Sequence, residues 1–238
     1  MATFVLVHGA MHGGWCWQRV VPLLHAAGYE VFTPTLTGLG ERVHLAHPGI
    51  DLDTHIHDVL GVLEYEDLHD VVLVGHSYAT MVITGVADRA PDRIGHLVYL
   101  DGVMAGNGQA VLDFFPAERR AVWRAQVEAE SEGWLLPPPA DLRHWGIVTE
   151  EDVTWVQPKL VPQPFRTLTQ PLTLANPTRF GGPKTFIACV KAPSADWREA
   201  MIERGARCDD HRPPRTRRPA AGADLSPGNS DWSSTKQS

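Results

Sequence analysis

One hydroxyl and one glycine-rich loop carry the chemistry that this chain advertises. Ser77 stands in Gly75-His76-Ser77-Tyr78-Ala79, directly behind the apolar run 71–74. The residues two places to either side of it, Gly75 and Ala79, are small enough for a tight strand-to-helix turn that pushes a side chain outward. In such a bend a serine serves as a nucleophile; the alternative is a serine that only caps the following helix. A nucleophile that attacks a carbonyl creates an oxyanion, and amide donors must meet it. The N–H of Tyr78 is one candidate, at a helix N-terminus where the dipole favours negative charge. The N–H of Ala10 is the other, in the loop "HGAMHGG" (8–14), whose glycines let the backbone come close to a ligand.

These groups need elements to hold them. Short apolar runs at 4–7, 71–74, 96–100 and 184–190, with "YEVFTP" as a further strand, read as strands buried on both faces. Apolar residues at helical spacing over 17–27, 51–65 and 79–87 read as helices, with Asp51 or Asp53 as N-cap of the second. Strands alternating with helices predict an α/β fold with a doubly wound, mostly parallel sheet. Ligands then sit beyond the carboxyl ends of the strands, where both Ser77 and the 8–14 loop fall. The pattern breaks after Gly102: residues 104–180 predict helices around 117–130 and 150–160, with Trp123, Trp134, Trp145 and Trp155, as an inserted lid. The core resumes over 181–205 with a strand and the helix "ADWREAMIERGA". From 206 to 238 Pro, Arg, Gly, Ser and Asp dominate, which predicts an irregular tail.

"HGAMHGGWCW" together with "LVGHSYA" resembles the α/β-hydrolase superfamily over roughly residues 3–204, and in particular the branch of plant methyl esterases, salicylate-binding esterases and hydroxynitrile lyases with similar bacterial esterases. The resemblance implies Ser77 as nucleophile and Ala10 and Tyr78 as oxyanion donors. Lyases of the branch carry Thr directly after the first-strand His; this chain has Gly9, which favours ester hydrolysis over cyanohydrin cleavage. In the plant branch the catalytic acid follows the strand matching "KTFIACV", where this chain has Ala192; elsewhere in the superfamily it follows the preceding strand, where Asp101 ends "LVYLD". Asp101 is taken as the acid and Asp196 as the second choice. The superfamily order of serine, acid, histidine leaves His211 as the one imidazole after His144, and its setting beside Arg212 and two prolines suits a solvated side chain equally well. A frame change in the coding DNA is one explanation of the tail: codons for 214–220 chosen as CCG CGG ACA CGA CGC CCC GCT read Arg-Gly-His-Asp-Ala-Pro-Leu one base later. A chain without its base would be a ligand-binding or impaired hydrolase.

Composition sets the outer bounds. A length of 238 residues suits one such domain, and a net charge of −7 argues against a nucleic-acid partner. Neither a signal peptide nor a long apolar span is visible, so a cytoplasmic protein is expected, acting on a small ester away from membranes, with no cofactor or metal and a homodimer as the candidate assembly. Cys16, Cys189 and Cys208 read as incidental thiols. His8 and His12 read as shaping their loop by hydrogen bonds, with a metal pair as the alternative; His55 and His57 read as solvated, His76 as packing locally, and "LTGLGER" as structural. Trp123, Trp134 and Trp155 either line an acyl pocket or form the core of the lid.

Overall fold

The computed structural model describes residues 2–130, 133–176 and 179–189. The readings placed on Ala192, Asp196, the helix after them, His211 and the tail lie outside the described residues. Five parallel strands form the sheet: β1 (Thr3–Val7), β2 (Glu30–Phe32), β3 (Val71–His76), β4 (Ile94–Leu100) and β7 (Lys184–Ile187), in the order β2-β1-β3-β4-β7. The apolar runs of β1, β3 and β4 are the better-buried part of the sheet, whereas β2 and β7, at the two ends of the order, are half-buried to exposed. Against one face lie α2 (Leu52–Tyr65) and α3 (Ala79–Arg89), which bury Ile56, Val59, Leu63, Met81, Ile83 and Val86 with Val5, Val7, Val71 and Leu73 of the strands. Leu6, Val74 and Trp17 form a smaller cluster joined by Val21 and Leu24 of α1 (Val21–Ala26).

α1 is shorter than the 17–27 helix that the apolar spacing predicts, because a 3-10 turn occupies Gly14–Trp17 and Pro22 stands in the first turn of the helix. Trp17, Val21 and Leu24 of the expected stripe pack inward, whereas Leu23 is 70% exposed. At the start of α2 the cap is Asp51, whose carboxylate accepts from Thr54 N–H while Asp51 N–H donates to the Thr54 hydroxyl.

Between β4 and β7 the chain adds α4 (Ala117–Glu130), β5 (Leu135–Leu136), α5 (Glu150–Val156), β6 (Gln163–Pro164) and α6 (Arg166–Thr169). β5 and β6 pair antiparallel, Leu136 opposite Gln163. The expected 150–160 helix ends early at Val156, and a 3-10 turn containing Pro158 covers Gln157–Lys159. Val127, Leu136, Phe165, Leu168 and Leu172 join the main core, so this inserted segment is packed onto the sheet domain. Among the described residues no helix is long and apolar enough to cross a membrane.

The strand order dictates where a ligand can sit. From β1 the chain moves outward to β2, then returns through α2 to β3 on the opposite side of β1. The connections leaving β1 and β3 therefore part from each other, opening a crevice at the carboxyl ends of these two neighbours. Their register, Val7 opposite Gly75, puts the 8–14 loop beside Ser77.

Candidate active site

Ser77 occupies a strained bend between β3 and α3. Its φ is +53°, a left-handed conformation costing a non-glycine residue about 1–3 kcal/mol. The surroundings enforce it: Ser77 N–H extends the sheet by donating to Leu100 O at 2.9 Å, and Ser77 O accepts from both Thr80 N–H (3.1 Å) and the Thr80 hydroxyl (2.7 Å). A Cβ at position 75 would lie 2.6 Å from Ala79 O, so only glycine lets the helix start so close to the strand. The result is an exposed Ser77 flanked by buried Gly75, Tyr78, Ala79 and Thr80. α3 has no side-chain cap, and among the described residues neither the Tyr78 amide nor the Ser77 hydroxyl is hydrogen-bonded.

The loop after β1 runs alongside. A Cβ on Gly9 would stand 3.3 Å from Ser77 Cβ and 3.0 Å from His76 Nδ1, so the two backbones touch without a side chain between them. Leu36 N–H donates to His8 Nε2 at 3.0 Å, which leaves the proton on Nδ1, and Nδ1–H donates to Gly9 O at 2.8 Å. Because a trans peptide points its C=O and N–H in opposite directions, tying Gly9 O back toward His8 turns the Ala10 N–H away from it. The next peptide is held at both ends: Ala10 O accepts from His12 Nδ1–H at 2.7 Å, and Met11 N–H donates to Gln163 Oε1 at 2.8 Å. Of the amides in these two peptide units, that of Ala10 alone lacks an acceptor among the described residues. Burial drives the His8 pKa down to about 3, so its ring is neutral, as the two hydrogen bonds require.

Asp101 follows β4 with φ +47°, one residue past Leu100, which pairs with His76. Its N–H donates to Ile187 O at 2.7 Å, and its Oδ1 accepts from Cys189 N–H at 3.0 Å. The carboxylate thus stands at the carboxyl edge of the sheet, tied to the residues that follow β7.

The profile of the alpha/beta hydrolase family matches residues 4–226. This chain belongs to that family. The match passes the limit near 204 set by the two motifs and runs into the segment whose composition predicts an irregular tail. The hydrolase is 44% identical to a carbendazim hydrolyzing esterase of Nocardioides sp. over 183 residues, 74% of each chain, and 31% identical to a pheophorbidase of Raphanus sativus over 79% of this chain and 75% of the relative. An extracellular α/β-hydrolase from a Paenibacillus species superposes with a TM-score of 0.75 at 25% identity, covering 83% of this chain and 82% of the other. A methylesterase from Arabidopsis superposes at 0.67 and 27% identity, covering 85% of each. The esterase relatives and the parallel sheet agree with the class of enzyme and the fold that the motifs imply.

Several side chains of this hydrolase differ from their sequence reading. His55, expected to be solvated, is fully buried: its Nδ1 meets Tyr78 Oη at 2.8 Å and its Nε2 meets Thr37 O at 2.9 Å. The carbonyl accepts only, so Nε2 carries the proton and the Tyr78 hydroxyl donates to Nδ1. Burial lowers the His55 pKa to about 4 and raises that of Tyr78 well above its ordinary value. The side chain of Tyr78 is therefore an anchor beneath α3. His57 is exposed, as expected. His76 packs its ring against Trp17 (6.3 Å between centroids), and burial lowers its pKa to about 4. "LTGLGER" is structural: Leu36 and Leu39 are buried, and Thr37 donates twice to Asp58. Burial pushes the Cys16 thiol up to about 12, so it is no nucleophile at neutral pH. Trp123 packs on Phe115, whereas Trp155 joins Trp15 and His12 in an aromatic cluster beside the loop. Sequence reasoning missed Gln163. Nothing in "VPQPF" marks a buried amide that bonds a loop 152 residues away.

Proposed function

We propose that this hydrolase cleaves small carboxylic esters through an acyl-enzyme on Ser77. The observation that carries the reading is the pairing of an exposed hydroxyl on a left-handed bend with the amides of Ala10 and Tyr78, neither of which has an acceptor among the described residues. Ser77 Oγ attacks the ester carbonyl while a general base takes its proton, and the carbonyl oxygen, now an anion, faces the two N–H groups. Collapse expels the alcohol, which receives that proton; the same base then deprotonates a water that attacks the acyl carbon and frees the acid and Ser77. His211 is the candidate base and Asp101 the candidate carboxylate that orients it. The insertion between β4 and β7 serves as the lid, and its indoles favour apolar or aromatic esters. Relatives named as esterases support the class of reaction.

A second reading is a ligand-binding hydrolase without turnover, favoured by one observation: His211, the one imidazole after His144, stands in a stretch dominated by Pro, Arg, Gly, Ser and Asp. Fluorophosphonate labelling and p-nitrophenyl acetate turnover of wild type, Ser77→Ala and His211→Ala separate the two. Labelling and turnover abolished by Ser77→Ala support the esterase, and a further fall of 10²-fold or more in His211→Ala assigns the base. A wild type that neither labels nor turns over is the binding protein. Turnover that survives Ser77→Ala removes the proposal.

A further inference from the structure

Gln163 lies between Pro162 and Pro164, so its own backbone is confined to extended conformations, and β6 pairs with β5 beneath it. Its side chain is completely buried. The amide oxygen accepts from Met11 N–H at 2.8 Å, and the amide nitrogen donates to Thr167 Oγ at 2.7 Å, whose own proton goes to Pro164 O at 2.6 Å. Met11 has φ +65°, a left-handed conformation that a residue with a long side chain avoids without external support. That support comes from one segment acting on both sides of the residue: Gln163 holds its N–H, and Val161 N–H donates to its C=O at 3.1 Å. A buried polar chain therefore runs from the loop after β1 through Gln163 and Thr167 to the Pro164 carbonyl of the insertion.

We propose that Gln163 is the positioning residue of the oxyanion hole, fixing the left-handed turn that presents the Ala10 amide. The proposal rests on the acyl-enzyme reading for its catalytic consequence and on geometry alone for its structural one. Gln163 touches no substrate. It acts by orienting amides, so its loss weakens transition-state stabilisation with little effect on ground-state binding.

Gln163→Met keeps the shape and removes both hydrogen bonds; Gln163→Glu keeps the acceptor for Met11 N–H; Thr167→Val cuts the second link. Two readouts apply: kcat and KM for p-nitrophenyl acetate, and amide hydrogen exchange over peptides covering 8–14 and 77–81. In Gln163→Met, kcat falls about 10–100-fold, the scale of an ångström-sized misplacement, with KM within about threefold of wild type. Exchange over 8–14 rises about tenfold. Gln163→Glu recovers most of kcat, and Thr167→Val, which leaves Gln163 its bond to Met11, raises exchange over 8–14 by less than Gln163→Met does. Exchange over 77–81 stays at the wild-type rate in all three. Should Gln163→Met fail to fold, the other two variants decide. Unchanged exchange over 8–14 overturns the proposal, as does a kcat loss that Gln163→Glu does not recover. A wild type without turnover disposes of the esterase reading alone, since exchange still reports whether Gln163 holds the 8–14 loop.

Discussion

Acidification tests the buried imidazoles. His8 and His55 are inaccessible to solvent, each with both ring nitrogens hydrogen-bonded in a pattern that only the neutral ring satisfies. In the unfolded chain both titrate near 6.5; in the fold burial holds them at about 3 and about 4. Below pH 6.5 the unfolded chain takes up protons that the fold refuses, so the stability these neutral rings contribute is complete above pH 6.5 and drains away as the pH falls toward 4. At pH 5.5 each ring costs about 1.4 kcal/mol and the pair about 3 kcal/mol. His76 shifts in the same direction but retains some exposure, so it adds less. Against a total domain stability of about 5–15 kcal/mol this is a large loss. Urea unfolding followed by tryptophan fluorescence at pH 7.5 and 5.5 should show the midpoint falling by about 1.5 M for a slope near 2 kcal/mol/M. His55→Gln, less stable at neutral pH, should lose only about half as much between the two values. Coincident midpoints for the wild type would refute the claim that these rings are locked neutral.

Two substitutions probe the bend. Ser77→Gly relieves the left-handed cost and should raise stability by about 1 kcal/mol, or about 2–4 °C in Tm, whereas Ser77→Ala keeps a Cβ and should gain nothing; equal melting temperatures for the two would show that position 77 is not strained. Gly75→Ala places a Cβ 2.6 Å from Ala79 O, a backbone atom that cannot swing aside, and should cost about 1–3 kcal/mol in chemical denaturation. A neutral Gly75→Ala would mean that α3 does not start as close to β3 as described.

Local pattern determined a good deal. Apolar runs placed the central strands because a parallel strand buried on both faces is apolar on both, and the pair of small residues around Ser77 marked the bend because only small side chains clear the crossing of β3 and α3. The α4 boundaries followed from the helical stretch read around 117–130, while the choice between Asp51 and Asp53 as the cap of α2 fell to the structure. Where local pattern misled, a distant partner had the deciding influence. Period alone made α1 too long, since it cannot see that a 3-10 turn and Pro22 take up the first part of the stripe. His55 alternates with His57 along α2 and reads as solvated until Tyr78 and Thr37 close over it.

What the sequence by itself determined is the kind of chemistry: a hydroxyl behind a strand, a glycine loop behind another, and a parallel sheet to set them side by side. What only the tertiary structure decided is how those groups are aimed. The peptides on either side of Ala10 are held by donors on His8 and His12 and by the Gln163 oxygen that accepts from Met11 N–H, and Tyr78 is seated by donating to His55, partners as far as 152 residues apart in the chain. Hydrogen bonds are directional over a few tenths of an ångström, while apolar spacing reports only which face of an element is buried; the first property exists only once the chain has folded.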